Sequence, residues 1–240
     1  MIQINPKDLL LDILFPKFCV GCGREGKYIC DRCNIFTSEA EPIYFQQEKY
    51  GLDSLISIWE YEGLMKKAIH QIKYQGVTDI VKELMKKGFQ ERPDLPENWT
   101  QAFRRSGLLK AVITYVPMYK KREKKRGFNQ AKIIAQELAK KTGFQVIPLL
   151  KKIKDTQPQM KLNQEERLKN IKGCFELNLK EVRPPESLNA DFGEVGPLKN
   201  LSVLLVDDVY TTGATMRECA KVLKKAGVEK VIGFVLARTV

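Results

Sequence analysis

VLLVDDVYTTGAT, residues 203–215, is the stretch around which this chain reads. The run 201–206 is apolar except for Ser202, the pattern of a buried parallel strand, and it ends in two carboxylates, Asp207 and Asp208. Thr211, Thr212 and Gly213 then lead into the amphipathic run ATMRECAKVLKKAG. Backbone N–H groups, two hydroxyls and a helix N-terminus therefore converge just beyond a strand end, which is the geometry of an anion site. Gly213 removes the Cβ that would hold a phosphate away from the backbone. The two aspartates lie too close to that loop to welcome a second anion; they suit the diol of a ribose or a hydrated Mg²⁺. The plainer reading makes them turn residues between a strand and a capped helix, but a turn has no need of DD followed by TTGAT.

These thirteen residues resemble the phosphoribosyl pyrophosphate (PRPP) motif of the type I phosphoribosyltransferases. The resemblance implies that Asp207 and Asp208 are the catalytic pair facing the ribose hydroxyls. It also implies that Thr211, Thr212, Gly213, Ala214 and Thr215 wrap the 5-phosphate.

With 240 residues the chain can bury one main core and a smaller satellite, and the expected division is a module over 1–40 and a domain over 41–240. A hydrophobic content of 43% with 29% charged residues excludes global disorder. No apolar run approaches the ~20 residues that span a bilayer, so no membrane insertion is expected. The stretch LLLDILF is interrupted by Asp12 and lacks a basic leader and a cleavage site, so a cytoplasmic protein is expected. The net charge of +12 favours polyanionic ligands, phosphorylated substrates or nucleic acid alike; a lysine-rich, heat-adapted surface would also look basic.

Near the start, Leu9, Leu10, Ile13 and Leu14 form one stripe of a short helix. Cys19, Cys22, Cys30 and Cys33 follow as two CxxC pairs, with Gly21 and Gly23 suited to a knuckle turn. In a reducing compartment four such thiolates close a tetrahedral structural Zn²⁺ site, with rubredoxin-like iron as the alternative. A closed four-ligand site has no open position for catalysis. SLISIWEYEG then reads as a strand, GLMKKAIHQIKYQG as a helix with Leu64, Ala68, Ile69 and Ile72 on its apolar face, and VTDIVKELMKKGF as a further helix. His70, the only histidine, has no partner motif and reads as structural.

AVITYV, residues 111–116, is a second buried strand ended by Pro117. Beyond it lie Lys120, Lys121, Arg122, Lys124, Lys125 and Arg126, six cations in seven residues, read as a basic loop broken by Gly127 before the next helix. A charge run is often just a solvated face. A loop that follows a parallel strand, however, lies on the same rim as the DD-TTGAT loop, where open α/β sheets bind ligands. These cations are accordingly assigned to pyrophosphate or DNA, with Tyr119 and Phe128 as aromatic neighbours able to stack bases. Residues 145–153 form a third strand region, 163–171 a helix, and 181–200 an exposed connection; Cys174 and Cys219 read as small buried residues. LKNLSVLLVDDV is the expected central strand and KVIGFVLA the last. Alternating strands and helices give an α/β fold, a mostly parallel sheet flanked by helices, with the small zinc-binding module at the N-terminus.

The order of a four-cysteine knuckle, a YxG…KY segment (Tyr61, Gly63, Lys73, Tyr74), an RGFNQA box at 126–131, a QxxLxxxERxxN segment (Gln159, Leu162, Glu166, Arg167, Asn170) and the DD-TTGAT motif is similar to that of the ComF-type competence proteins. The resemblance implies a type I phosphoribosyltransferase fold, Mg²⁺ bound with PRPP, and a role in natural transformation, where incoming single-stranded DNA meets the protein and a competence helicase as partners. It further implies a pyrophosphate loop at 117–127 and a closing loop at 156–173. No segment matches a base-recognising hood. An active transferase of nucleotide or small-metabolite metabolism, without DNA contact, is the alternative function; a structural scaffold is the third reading, disfavoured by the intact motif.

Overall fold

A computed structural model describes residues 14–41, 43–44, 51–91, 111–156, 164–178, 198–199 and 201–239. Most of the expected N-terminal helix and of the 181–200 connection lies outside them. In chain order come the short helix α1 (Asp31–Asn34), β1 (Ile43–Tyr44), β2 (Ser54–Glu60), α2 (Gly63–Gln75), α3 (Asp79–Glu91) and β3 (Ala111–Tyr115). There follow α4 (Lys120–Arg126), α5 (Gln130–Thr142), β4 (Leu150–Lys152), α6 (Gln164–Ile171), β5 (Phe175–Leu177), β6 (Ser202–Tyr210), α7 (Ala214–Lys225) and β7 (Lys230–Arg238).

The main sheet has the order β1-β2-β7-β6-β3, parallel throughout except for antiparallel β1 at one edge. This is the expected mostly parallel sheet, with one change of place: β7 takes the middle position and β6 is its neighbour, because β2 adds on the far side of β7. Alternation sends Ile58, Ile113, Leu204, Val206 and Phe234 into one core, with α2, α3 and α5. Val112, Val203, Leu205, Val231 and Val235 enter a second core, closed by α7 and the small sheet.

Two expectations change. The basic run is the helix α4, not a loop: Lys, Arg and Glu are good helix formers, Glu123 sits in its first turn and three cations in its last, and Gly127 at φ 86° stops it. Residues 145–153 do not form one strand. Ile113 N–H donates to the Gln145 carbonyl and Ile147 N–H to the Ile113 carbonyl, each at 2.8 Å, so this stretch touches the edge of β3. The next donor in that register, Leu149 N–H, turns instead to the Ile147 carbonyl at 2.8 Å and to Thr114 Oγ1 at 3.1 Å, and Leu150–Lys152 pairs antiparallel with β5 in a separate two-stranded sheet.

Candidate functional site

All four long parallel strands end on one rim. After β3 the chain enters α4 and α5, and α5 packs on the first core; after β6 it enters α7, which packs on the second. The connections leaving two adjacent strands thus diverge to opposite faces, which opens a crevice between the ends of β3 and β6. The basic helix and the DD-TTGAT turn stand on its two sides.

β6 runs on through the carboxylates to Tyr210, so Asp207 and Asp208 lie within its last turn of pleat and not beyond it. Because side chains alternate, Asp208 falls on the face of Leu204 and Val206, and Asp207 on the face of Val203 and Leu205. Asp208 pairs with one lysine there, and a second lysine acts on Asp207 through its charge. Lys73 from the last turn of α2 places Nζ 3.0 Å from Asp208 Oδ1. Burial works to lower the Lys73 ammonium, but the Asp208 charge and hydrogen bond outweigh it and hold Lys73 above its ordinary value. On the other face, half-buried Lys152 of β4 donates to Thr156 Oγ1 at 2.9 Å and lies 5.5 Å from the Phe175 ring centre. Burial, with the Arg122 charge nearby, keeps Lys152 below the usual lysine value, and its charge acts in turn on Asp207. Burial and then the adjacent Asp208 charge push Asp207 up to about 7, while its Oδ1 accepts the Asp208 N–H at 2.9 Å. Neither lysine was singled out as a site residue by sequence pattern. Lys73 had a signal, the KY of the YxG…KY segment; Lys152 had none.

The turn after β6 is built for close approach. Gly213 sits at φ 73°, the left-handed region, and a Cβ there would overlap the Tyr210 hydroxyl. The Tyr210 ring packs under the turn, and its hydroxyl accepts from Arg217 Nη2 at 3.2 Å. Thr212 Oγ1 lies 3.5 Å from the Ala214 N–H, and Thr239 N–H ties the end of β7 to the Tyr210 carbonyl at 3.0 Å. Thr211, Thr212, Gly213, Ala214 and Thr215 thus lie together at the N-terminus of a twelve-residue helix. That end of the helix carries the positive pole of its dipole.

Of the six cations of α4, Lys120, Lys121, Lys124 and Lys125 are exposed, while Arg122 and Arg126 turn inward. Arg122 Nε contacts Asp155 Oδ1 at 2.5 Å, and its Nη2 donates to the Thr156 carbonyl. Arg126 lies 5.9 Å from the Tyr74 ring centre. Tyr119 and Phe128 are half-buried, and Phe128 packs on the first core.

At the N-terminal end the sulfur atoms of Cys19, Cys22, Cys30 and Cys33 all lie within 4.8 Å of one another, a group that can hold a metal ion. Burial opposes a thiolate at Cys19, but surrounding backbone N–H donors outweigh it and bring it down to about 6; burial and the neighbouring thiols push Cys33 up to about 12. The knuckle is docked on α3. Glu83 accepts from Ile29 N–H at 2.7 Å and Tyr28 N–H at 3.1 Å, and Glu91 accepts from Asn34 Nδ2 at 2.8 Å. Lys87, between them on the same stripe, lies 3.8 Å from Asp31. Ile29 is fully buried in the first core beside Leu64 and Met65.

Residues 124–239 match the phosphoribosyl transferase domain family. Along most of its length the chain is similar to "Competence protein F" of Haemophilus influenzae, 28% identical over 93% of this chain and 85% of that protein. It is likewise similar to "DNA utilization protein YhgH" of Salmonella typhimurium, 29% identical over 92% of this chain and 88% of that one. "Competence protein ComFC" of Bacillus subtilis is 25% identical over 92% and 78%.

Proposed function

We propose that this chain, a ComF-type homologue built on a phosphoribosyl transferase domain, binds PRPP and acts in natural competence, handling incoming single-stranded DNA. The observation that carries the reading is the crevice itself. A pair of carboxylates ends β6, an anion-ready helix N-terminus follows, and a basic helix faces them across the gap. In this reading Asp207 and Asp208 hold the ribose diol, the turn at 211–215 holds the 5-phosphate, and α4 supplies positive charge to the pyrophosphate. Mg²⁺ bound with PRPP would neutralise the pyrophosphate, and the carboxylate oxygens of Asp207 and Asp208 would suit such a hard cation. Lys73 and Lys152 keep two adjacent carboxylates tolerable until a ligand takes over that task. The four thiols are the soft donor set that Zn²⁺ prefers, and with all four positions filled the ion is structural.

Calorimetry with PRPP and Mg²⁺ tests this. Asp207→Asn and Asp208→Asn should each weaken binding by about ten-fold or more, since a charge-assisted hydrogen bond is worth roughly 1.5–3 kcal/mol. Equal affinities in wild type and variants would remove the carboxylates from the ribose site. Pyrophosphate release in the presence of bases, amines or single strands makes the protein a transferase; tight binding without release makes the pocket a sensor. Failure to bind single-stranded DNA at all would return the protein to the metabolic alternative.

A further inference from the structure

The last turn of α2 carries more than Lys73. Tyr74, the next residue, is 53% exposed although its neighbour reaches the acidic pair. Its ring lies 4.5 Å, centre to centre, from that of His70 one turn earlier, tilted by 41°. On the side of α4, the Arg126 guanidinium sits 5.9 Å from the same ring. His70, Tyr74 and Arg126 therefore make one cluster of flat groups at the surface. It adjoins in sequence Lys73, the partner of Asp208, and continues into the exposed lysines of α4.

We propose that this cluster is a stacking platform for a base of a single-stranded nucleic acid whose phosphates run along α4. The inference rests on the DNA-handling reading and names the site where it occurs. Aromatic faces and guanidinium planes accept any base, and a lysine stripe accepts any backbone; together they bind single strands without regard to sequence. The placement also decides between candidate aromatics. Tyr119 and Phe128 flank the basic run in sequence, but both are half-buried, whereas Tyr74 is more than half exposed. His70 thereby gains a role as the back wall of the platform.

The experiment separates base from phosphate. A labelled (dT)₂₀ strand and a strand of the same length made of abasic sites are titrated into the full-length protein and into Tyr74→Ala, Tyr74→Phe and the combined Lys121→Ala, Lys125→Ala variant. Wild type should prefer (dT)₂₀ over the abasic strand. Tyr74→Ala should lose roughly ten-fold for (dT)₂₀, the scale of one base–aromatic stack, and leave the abasic strand unchanged. Tyr74→Phe should keep the preference, and the lysine variant should weaken both strands alike. A (dT)₂₀ affinity unchanged in Tyr74→Ala overturns the platform and leaves the DNA reading standing. Loss of PRPP binding in wild type would strike the reading of the crevice instead. Should Tyr74→Ala change only the affinity for free thymidine, the ligand is a small base and the strand proposal fails.

Discussion

Asp207 is held in the fold where its charged form is disfavoured. An aspartate in an unfolded chain titrates near its ordinary value of about 3.9, whereas Asp207 in the folded protein stands at about 7 because it is buried beside Asp208. Between those two values the folded state keeps a proton that the unfolded state has released. Stability therefore falls as pH rises through this window, and the loss is complete above 7. Asp207→Asn abolishes that titration. Its melting temperature should exceed that of the wild type at pH 8 and lose this advantage at pH 4.5, as measured by thermal denaturation in matched salt. A gain of the same size at both values would show that burial of the amide, not relief of charge, is responsible.

At the scale of the element, α4 shows why six cations in seven residues do not act alike. One residue turns the helix by about 100°, so Arg122 and Arg126, four apart, share the inward side, and Lys120 and Lys124 with Lys121 and Lys125 make the outer stripe. The inward arginines are committed to Asp155, Thr156 and Tyr74. Only the outer stripe is placed to follow a phosphate backbone. Replacing Lys120, Lys121 and Lys124 by alanine should reduce the log–log salt slope of single-strand affinity by about 0.7 for each phosphate contact removed. Fluorescence anisotropy between low and moderate salt reads this directly. An unchanged slope and affinity would exclude α4 as the strand's backbone contact.

For the molecule as a whole, the knuckle and the sheet share one core. Ile29 is buried with residues of α2 and α3, and Glu83 and Glu91 hold knuckle groups from one stripe of α3. A structural metal contributes its binding free energy to folding. One zinc per chain is therefore expected from metal analysis. Its removal by a chelator under reducing conditions should lower the melting temperature of the entire protein in a single transition. A two-step melt whose second step ignores the chelator would show that the knuckle folds by itself.

Several features were determined by the sequence alone, because they depend on local order. The strand-to-turn passage into DD-TTGAT, the paired CxxC spacing, the apolar face of α2 and the parallel α/β class are all written in residue type and period. What lay beyond reach was each feature that depends on two distant segments meeting. Lys73 and Asp208 are 135 residues apart, and their ion pair exists because α2 ends over β6. Lys152 reaches the acidic pair's surroundings only because its segment leaves the edge of β3 at Leu149 and pairs with β5. The inward and outward sides of α4 likewise appear only when Asp155 and Tyr74 are brought beside it. Local propensity reports on residues one or two turns away, whereas the electrostatics of this crevice arise among four segments that the chain visits in turn and tertiary packing brings together.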